Sequence, residues 1–197
     1  MALALSGDPA ADELLTRDAF ALLIGMVLDQ QVPLERAFTA PLALRERLGG
    51  ELSPETLVAL EPDDLRAAFA TKPALHRFPG AMAERVQQLA QLLVEDYGGR
   101  AAAVWEGAAD GAQLLKRLEA LPGFGRQKAK IFLALLGKQL GVCPAGWREA
   151  SAPFGDEESF LSVADIDGPD SLAKVRAYKR QLKAAATTRA STRTRGA

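Results

Sequence analysis

Apolar residues recur every three to four positions through most of the chain, which is the spacing of one face of an α-helix. The stretch 18–30 is apolar on every side, so it predicts a helix buried at the centre of the fold. Prolines and paired glycines mark the ends of the other segments, because proline fits the first turn of a helix and glycine fits its end. With no credible strand and no internal repeat, the sequence predicts an all-α fold. The predicted helices are 9–17, 18–30, 33–48, 54–60, 62–70, a long one ending before Gly98-Gly99, 100–105, the pair within 114–140, and 171–186.

The segment 121–125, Leu-Pro-Gly-Phe-Gly, separates two amphipathic helices. Pro122 cannot continue the first helix, and Gly123 and Gly125 lack the Cβ atoms that would block a tight reversal. Main-chain N–H groups at the start of the second helix favour an anion, and beside so short a loop we expect a phosphate. The alternative is an ordinary helix–turn–helix corner in which glycine is the cap.

This segment and the Arg-Gln-Lys-Ala that follows it resemble the hairpin of the HhH-GPD superfamily, the base-excision DNA glycosylases related to endonuclease III. The resemblance covers residues 20–142 and implies the helical glycosylase fold. In that family the hairpin amides hold a DNA phosphate, often with a monovalent cation between them. The DNA contacts implied here are Gln30, Gln31, Leu121, Gly123, Gly125, Lys128 and Lys130.

Gln30 and Gln31 follow the predicted buried helix. Amides at such a place either cap the last carbonyls of the helix or reach outward to a nucleotide. Under the resemblance, Gln31 fills the gap that an extruded base leaves in the duplex and bonds the orphaned partner base.

The catalytic groups of the family are not matched. Its essential Asp falls within 143–147, which reads Cys-Pro-Ala-Gly-Trp, and the nucleophilic Lys of its lyase members falls on Gln127. Lys128 lies about 100° further round the helix and is expected to point elsewhere, so no lyase activity is expected. Asp29 is the first candidate for the missing charge because it adjoins the expected lesion pocket, although a helix-end Asp can simply be solvated. The further candidates are Asp165, Asp167 and Glu149, the first two of which also suit turns and caps.

Composition limits the class of protein. A hydrophobic content of 48% can supply a core, and the apolar run 20–28 is too short to span a bilayer. We therefore expect a globular protein of the cytoplasm, associated with the nucleoid in a bacterium. The single cysteine, Cys143, allows no intrachain disulfide and no four-cysteine iron–sulfur cluster. We expect no metal bound by side chains and no cofactor besides a monovalent cation at the hairpin. The single histidine, His76, is expected at the surface or in the minor groove of DNA.

The net charge of −1 hides a division along the chain. From Ser171 onward there are eight basic residues and no acidic ones, which fits a basic arm on DNA phosphates. The alternative is a solvated helix end. We expect one helical domain over 1–186, with its hairpin at 114–140, and a basic disordered tail over 187–197.

The sequence thus predicts a base-excision repair protein whose partner is double-stranded DNA with a damaged or abasic site. It is expected to act as a monomer, flip the damaged base and hydrolyse the N-glycosidic bond without lyase activity. One alternative is a catalytically inactive relative that recognises distorted or abasic DNA. Another is a helical scaffold whose hairpin contacts protein, which would show no salt-dependent affinity for DNA.

Overall fold

The computed structural model describes residues 3–157, 159–178 and 180–181, and every regular element in that part of the chain is helical. The predicted all-α fold class is therefore confirmed. The helices are α1 Pro9–Arg17, α2 Ala19–Leu28, α3 Leu34–Arg47, α4 Pro54–Ala59, α5 Pro62–Ala70, α6 Pro79–Tyr97, α7 Gly111–Glu119, α8 Arg126–Gln139 and α9 Trp147–Ser151. Short 3-10 turns cover Ala101–Val104 and Val163–Asp165, and residues 169–178 form the closing helix.

The helix boundaries follow the predicted punctuation closely. Pro54 and Pro62 each begin a helix as predicted, and Gly98 ends α6 in the left-handed conformation. Pro79 begins α6, a start that the sequence does not predict. The predicted span 18–30 is one residue too long at its start, where Asp18 is the cap, and two residues too long at its end, because the helix ends at Leu28 and residues 29–30 belong to the turn that follows. The far part of the predicted helix 171–186 and the predicted tail lie outside the described residues.

Helix α2 is the centre of the first half of the fold. All of its residues from Phe20 to Leu28 are buried, as its continuous apolar sequence predicts. Helices α1, α3 and α6 pack around α2, and α4 and α5 pack on α6. Each fully buried aliphatic side chain contributes about 1.5–3 kcal/mol to stability, so α2 carries much of the hydrophobic stabilisation. No helix of the described residues combines the length and apolarity needed to cross a bilayer.

Helix α8 organises the second half of the fold. It packs against α7, α9 and the 3-10 turn at Val163–Asp165. The indole ring of Trp147 lies directly on Gly137 of α8, where a Cβ atom would come within 2.5 Å of the ring. This close contact holds α9 at the carboxyl end of α8, the end remote from the hairpin.

Candidate functional site

The carboxyl end of α2 needs hydrogen-bond partners, because the last carbonyls of a helix have none within the helix and this end lies in the core. The side-chain amide of Gln30 donates to the carbonyl of Val27 (2.9 Å). The ammonium group of Lys128, which lies on α8, donates to the carbonyls of Met26 (2.5 Å) and Val27 (3.0 Å). These bonds tie the start of α8 to the end of the most buried helix.

The predicted hairpin is the turn between α7 and α8. Leu121 and Phe124 are 2% and 4% exposed, so they anchor the turn in the core, and the prediction that Leu121 contacts DNA is wrong for its side chain. Gly123 has a φ of +85°, in the left-handed region that suits glycine. Gly125 precedes the first turn of α8, and no side chain caps that turn. The N–H groups at the start of α8 are therefore open to an anion.

A cleft of about 720 Å³ opens between the hairpin and the turn that follows α2; we call it the hairpin cleft. The apolar part of its wall consists of the side chains of Met26, Val32 and Ile131. Sites that are about one hundred residues apart in the sequence therefore share one surface. The predicted site residues that line the hairpin cleft are Asp29, Gln30, Gln31, Gly123, Gly125 and Lys128, together with Arg126 and Gln127.

Lys128 lines the hairpin cleft, so the prediction that it points elsewhere is wrong. Its four methylene groups allow the ammonium group to reach back to the end of α2, whatever the direction of its Cα–Cβ bond. Burial lowers the pKa of Lys128 to about 8, the carboxylate of Asp29 opposes this shift, and the guanidinium of Arg85 adds to it. Lys128 is therefore a half-buried cation beside Asp29. Its ammonium group is bonded within the fold and is not a free surface charge available to a phosphate.

Asp29 is half-buried at the end of α2 and lines two clefts. One is the hairpin cleft, and the other, of about 610 Å³, lies between the start of α3 and the closing helix. In this closing-helix cleft Arg176 forms an ion pair with Glu35, and Arg180 lies in the wall. Asp29 has no ion pair among the described residues. Its charge can therefore act on a molecule bound in either cleft.

The two glutamines after α2 differ in their surroundings. Gln30 caps the helix, which is one of the two interpretations that its position allowed. Gln31 is exposed and has a φ of +57°, the only positive φ at a non-glycine residue of the described chain. Gln31 is therefore the amide that can reach outward from the turn, while the amide of Gln30 is used inside the fold.

His76 is buried, with 1% of its surface exposed, so the prediction of a surface or minor-groove contact is wrong. The main-chain N–H of Phe78 donates to Nδ1 of His76 (3.0 Å), which leaves the proton on Nε2. Nε2 then donates to the carbonyl of Gln30 (2.8 Å). Because both ring nitrogens are engaged, His76 fixes the loop before α6 against the turn that follows α2.

Asp165 lies outside the hairpin cleft and is almost inaccessible, with 3% of its side chain exposed. Its carboxylate pairs with Nζ of Lys138 (2.5 Å) and accepts a hydrogen bond from the hydroxyl of Ser159 (2.9 Å). The main-chain N–H groups of residues 161 and 162 also donate to it. Four donors on one carboxylate leave it no role at a substrate, so the capping interpretation applies.

The two remaining candidate carboxylates are also outside the hairpin cleft. Asp167 accepts a hydrogen bond from the hydroxyl of Ser171 (2.6 Å) at the start of the closing helix. Glu149 is exposed on α9. Helix α8 separates this region from the hairpin by about 18 Å, since Lys138 is twelve residue steps beyond Arg126 and each step rises about 1.5 Å. Asp29 is therefore the one predicted catalytic candidate that lies beside the hairpin in the described structure.

The segment 143–147, where the family's Asp would fall, lies at the far end of α8. Trp147 packs on Gly137 there, and the segment holds no carboxylate. Lys130 was expected to add charge near the hairpin, but its ammonium group donates to the carbonyl of Ala152 (2.9 Å). Lys130 thus holds the chain after α9 against α8, and the prediction that it serves the hairpin is not supported.

The sequence interpretation missed Arg85 of α6. Its side chain lies against Gly123, where an added Cβ atom would come within 2.7 Å of Cδ of Arg85. The only signal in the sequence is its place at the edge of the apolar stripe of α6, between Met82 and Val86. Such a position allows a long basic side chain to run along a neighbouring element and keep its charge near solvent.

The described side chains offer few ligands for a metal ion or an iron–sulfur cluster. Among the described residues, no three His, Cys, Asp or Glu side chains are grouped so as to hold a metal ion. A four-cysteine iron–sulfur cluster does not fit this chain, whose sequence contains one cysteine. A monovalent cation at the hairpin would be held by main-chain oxygens and stays a prediction.

An all-helical protein with a glycine hairpin beside a polar cleft falls in the helix–hairpin–helix class. A family model described as HhH-GPD superfamily base excision DNA repair protein matches residues 24–188, and the chain belongs to this superfamily. The family predicted from segment 121–125 is thereby confirmed, and membership indicates base excision DNA repair with DNA as the substrate. The comparisons with curated proteins and with solved structures found no match.

Proposed function

We propose that the protein binds duplex DNA at a damaged base, extrudes that base and hydrolyses its N-glycosidic bond. The observation that carries the proposal is the hairpin cleft, which joins Asp29 and Gln31 to the glycine hairpin. The three groups match three requirements of the reaction, namely a phosphate contact, a side chain to fill the gap and a negative charge near the sugar. We further propose that the protein acts as a monomer in the cytoplasm.

The test is base release under single-turnover conditions from duplexes that each carry one defined lesion, uracil included. The proposal expects at least one lesion to be released as free base. Tight binding of abasic duplex with no release from any lesion would favour the second candidate, an inactive protein that recognises distorted or abasic DNA. The observation behind that candidate is the lack of a carboxylate in segment 143–147. A protein without salt-dependent affinity for DNA would contradict both.

We propose that the protein does not cleave the strand after removing the base. Gln127 occupies the position of the lyase nucleophile, and an amide cannot form a Schiff base. Lys128 is in the cleft, but its ammonium group holds two carbonyls of α2. With its pKa at about 8, Lys128 is mostly protonated at pH 7, and leaving these carbonyls would uncap the helix. Borohydride treatment of the protein with abasic duplex should therefore trap no covalent adduct.

The phosphate contact is proposed for the main-chain N–H groups at Gly125 and the first turn of α8. That turn has no side-chain cap, and the positive end of the helix dipole favours an anion there. In this family a monovalent cation, held by main-chain oxygens of the hairpin, is expected to contact the same phosphate. Gly125 suits a close approach of DNA because it presents no Cβ atom to the phosphate.

We expect Gly125→Ala to weaken binding to every duplex roughly tenfold, because a phosphate contact is lost without any base being read. A Cβ atom at Gly125 meets nothing within 4 Å and its φ is not positive, so the variant should fold normally. Gly168→Ala is the matched control, since that glycine is equally open and lies in the turn before the closing helix. Fluorescence anisotropy with intact and abasic duplexes gives the affinities. Equal affinities for Gly125→Ala and Gly168→Ala would remove the phosphate role.

Gln31 is proposed to fill the space left by the extruded base and to bond the orphaned partner base. Its exposure supports this, and so does the positive φ that holds it at the tip of the turn. Extrusion costs a few kcal/mol of stacking and pairing, and a bonded side chain in the gap offsets part of that cost.

We expect Gln31→Ala to bind abasic duplex roughly tenfold more weakly and intact duplex almost as before. Only the abasic duplex has a space in its base stack for the Gln31 side chain to fill. Gln31→Gly is the control for backbone strain, since glycine accepts a φ of +57° and also lacks the amide. Both variants should lose the preference for abasic over intact duplex in competition binding. A Gln31→Gly protein that keeps this preference would contradict the gap-filling role.

A further inference from the structure

Arg85 packs on the hairpin from the side of α6. A Cβ atom at Gly123 would lie 2.7 Å from Cδ and 3.3 Å from Cγ of Arg85, so the aliphatic part of the arginine rests on the Cα atom of that glycine. Glycine at this position therefore serves two purposes: it permits the positive φ and it makes room for Arg85. The contact restricts the arginine side chain before any ligand arrives.

Among the residues that the structure describes, three cationic side chains lie beside the hairpin, and they differ in their bonding partners. Lys128 donates to two carbonyls of α2, and Arg126 lies 3.6 Å from the carboxylate of Glu119. Arg85 has no ion pair within the part of the chain that the structure describes. Its charge also disfavours the charged form of Lys128, which places two like charges near each other beside the hairpin. An anion at the hairpin would relieve this repulsion.

We propose that Arg85 binds the same DNA phosphate as the hairpin and supplies the positive charge that the family is expected to take from a monovalent cation. The inference rests on the proposed DNA contact of the hairpin. A guanidinium group presents parallel N–H donors that fit two phosphate oxygens at once. Because the arginine stem already packs on Gly123, little side-chain freedom is lost when the phosphate binds.

The test uses two variants of Arg85. Arg85→Met keeps an apolar stem on Gly123 and removes the charge. Arg85→Lys keeps the charge and removes the paired N–H donors of the guanidinium group. Binding of abasic duplex is measured by anisotropy at several salt concentrations. For Arg85→Met we expect roughly tenfold weaker binding and a log–log salt slope smaller by about 0.9, the value for one phosphate. Arg85→Lys should keep the wild-type slope and have an intermediate affinity. Arg17→Met is the control, because Arg17 pairs with Glu13 before the opposite end of α2.

The wild-type protein is also measured in potassium chloride and in tetramethylammonium chloride at equal ionic strength. Equal affinities are expected, because Arg85 and not a small cation bridges to the phosphate. The inference is overturned if the wild type needs potassium, or if Arg85→Met matches Arg17→Met in affinity and slope. It fails together with the proposed function only if the wild type has no affinity for DNA. Thermal unfolding of Arg85→Met near the wild-type temperature shows that any loss is one of binding and not of folding.

Discussion

Asp29→Asn should lower the rate of base release by a factor of about 10²–10³, which is typical of losing one electrostatic contact to a transition state. Positive charge develops on the sugar as the glycosidic bond breaks, so a carboxylate nearby stabilises that state more than the bound substrate. Asp29 is half-buried and forms no ion pair among the described residues, so its carboxylate is exposed to the cleft in a partly desolvated place, with Lys128 as a nearby cation. Asparagine has nearly the same shape, so the affinity for abasic duplex should change little.

Glu149→Gln is the matched control for this measurement. Glu149 is exposed on α9, at the end of α8 remote from the hairpin cleft, so its loss should leave base release unchanged. Single-turnover rates on the best substrate of the lesion panel compare the two variants with the wild type. Full activity in Asp29→Asn would exclude Asp29 as the catalytic charge, and a defect in Glu149→Gln would redirect attention to α9.

The second large effect concerns stability. Asp165→Ala should lower the free energy of unfolding by about 3–5 kcal/mol, because it leaves the largely buried ammonium group of Lys138 without its partner. The substitution also removes the acceptor for the hydroxyl of Ser159 and for two main-chain N–H groups. Urea denaturation followed by circular dichroism measures the change.

Two further variants compare the buried ion pair of Asp165 and Lys138 with an exposed ion pair. Asp63→Ala breaks the exposed ion pair with Arg66 and should cost less than about 1 kcal/mol. Replacing Lys138 by Met together with Asp165→Ala should recover part of the lost stability, because no unpaired charge then remains buried. An Asp165→Ala protein as stable as Asp63→Ala would show that the buried pair is not important for folding.

Much of the fold could be predicted because its signals are local. The apolar run 20–28 predicts a buried helix whatever surrounds it, and the prolines at 54 and 62 mark helix starts through their own backbone geometry. The end of α6 at Gly98 is also a local signal, because glycine readily adopts the positive φ that ends a helix. These features depend on a few neighbouring residues, so the sequence contains what is needed to find them.

The candidate site was harder to predict because its contacts join distant parts of the chain. The helical position of Lys128 gives the direction of its Cβ atom, but not the α2 carbonyls at the end of a long side chain. A lone histidine between prolines suggests a surface loop, yet His76 finds a carbonyl partner on another element and is buried. Arg85 shows the same limit, since only the folded chain brings it to Gly123. Side-chain reach and long-range pairing are not visible in the spacing of residues.

The bond between Lys128 and the end of α2 has a consequence for how the protein meets DNA. It joins the start of α8, next to the hairpin, to the buried end of α2, next to the turn that bears Gln31, so neither can shift far without the other. The distance between the hairpin and the Gln31 turn is therefore fixed before the duplex binds. The protein then loses little conformational entropy when both elements contact DNA. In such an arrangement the duplex must deform to fit the protein. Under the proposed function, we therefore expect DNA that bends or opens easily, as it does at a mispaired or damaged site, to bind better than intact DNA before any base is read.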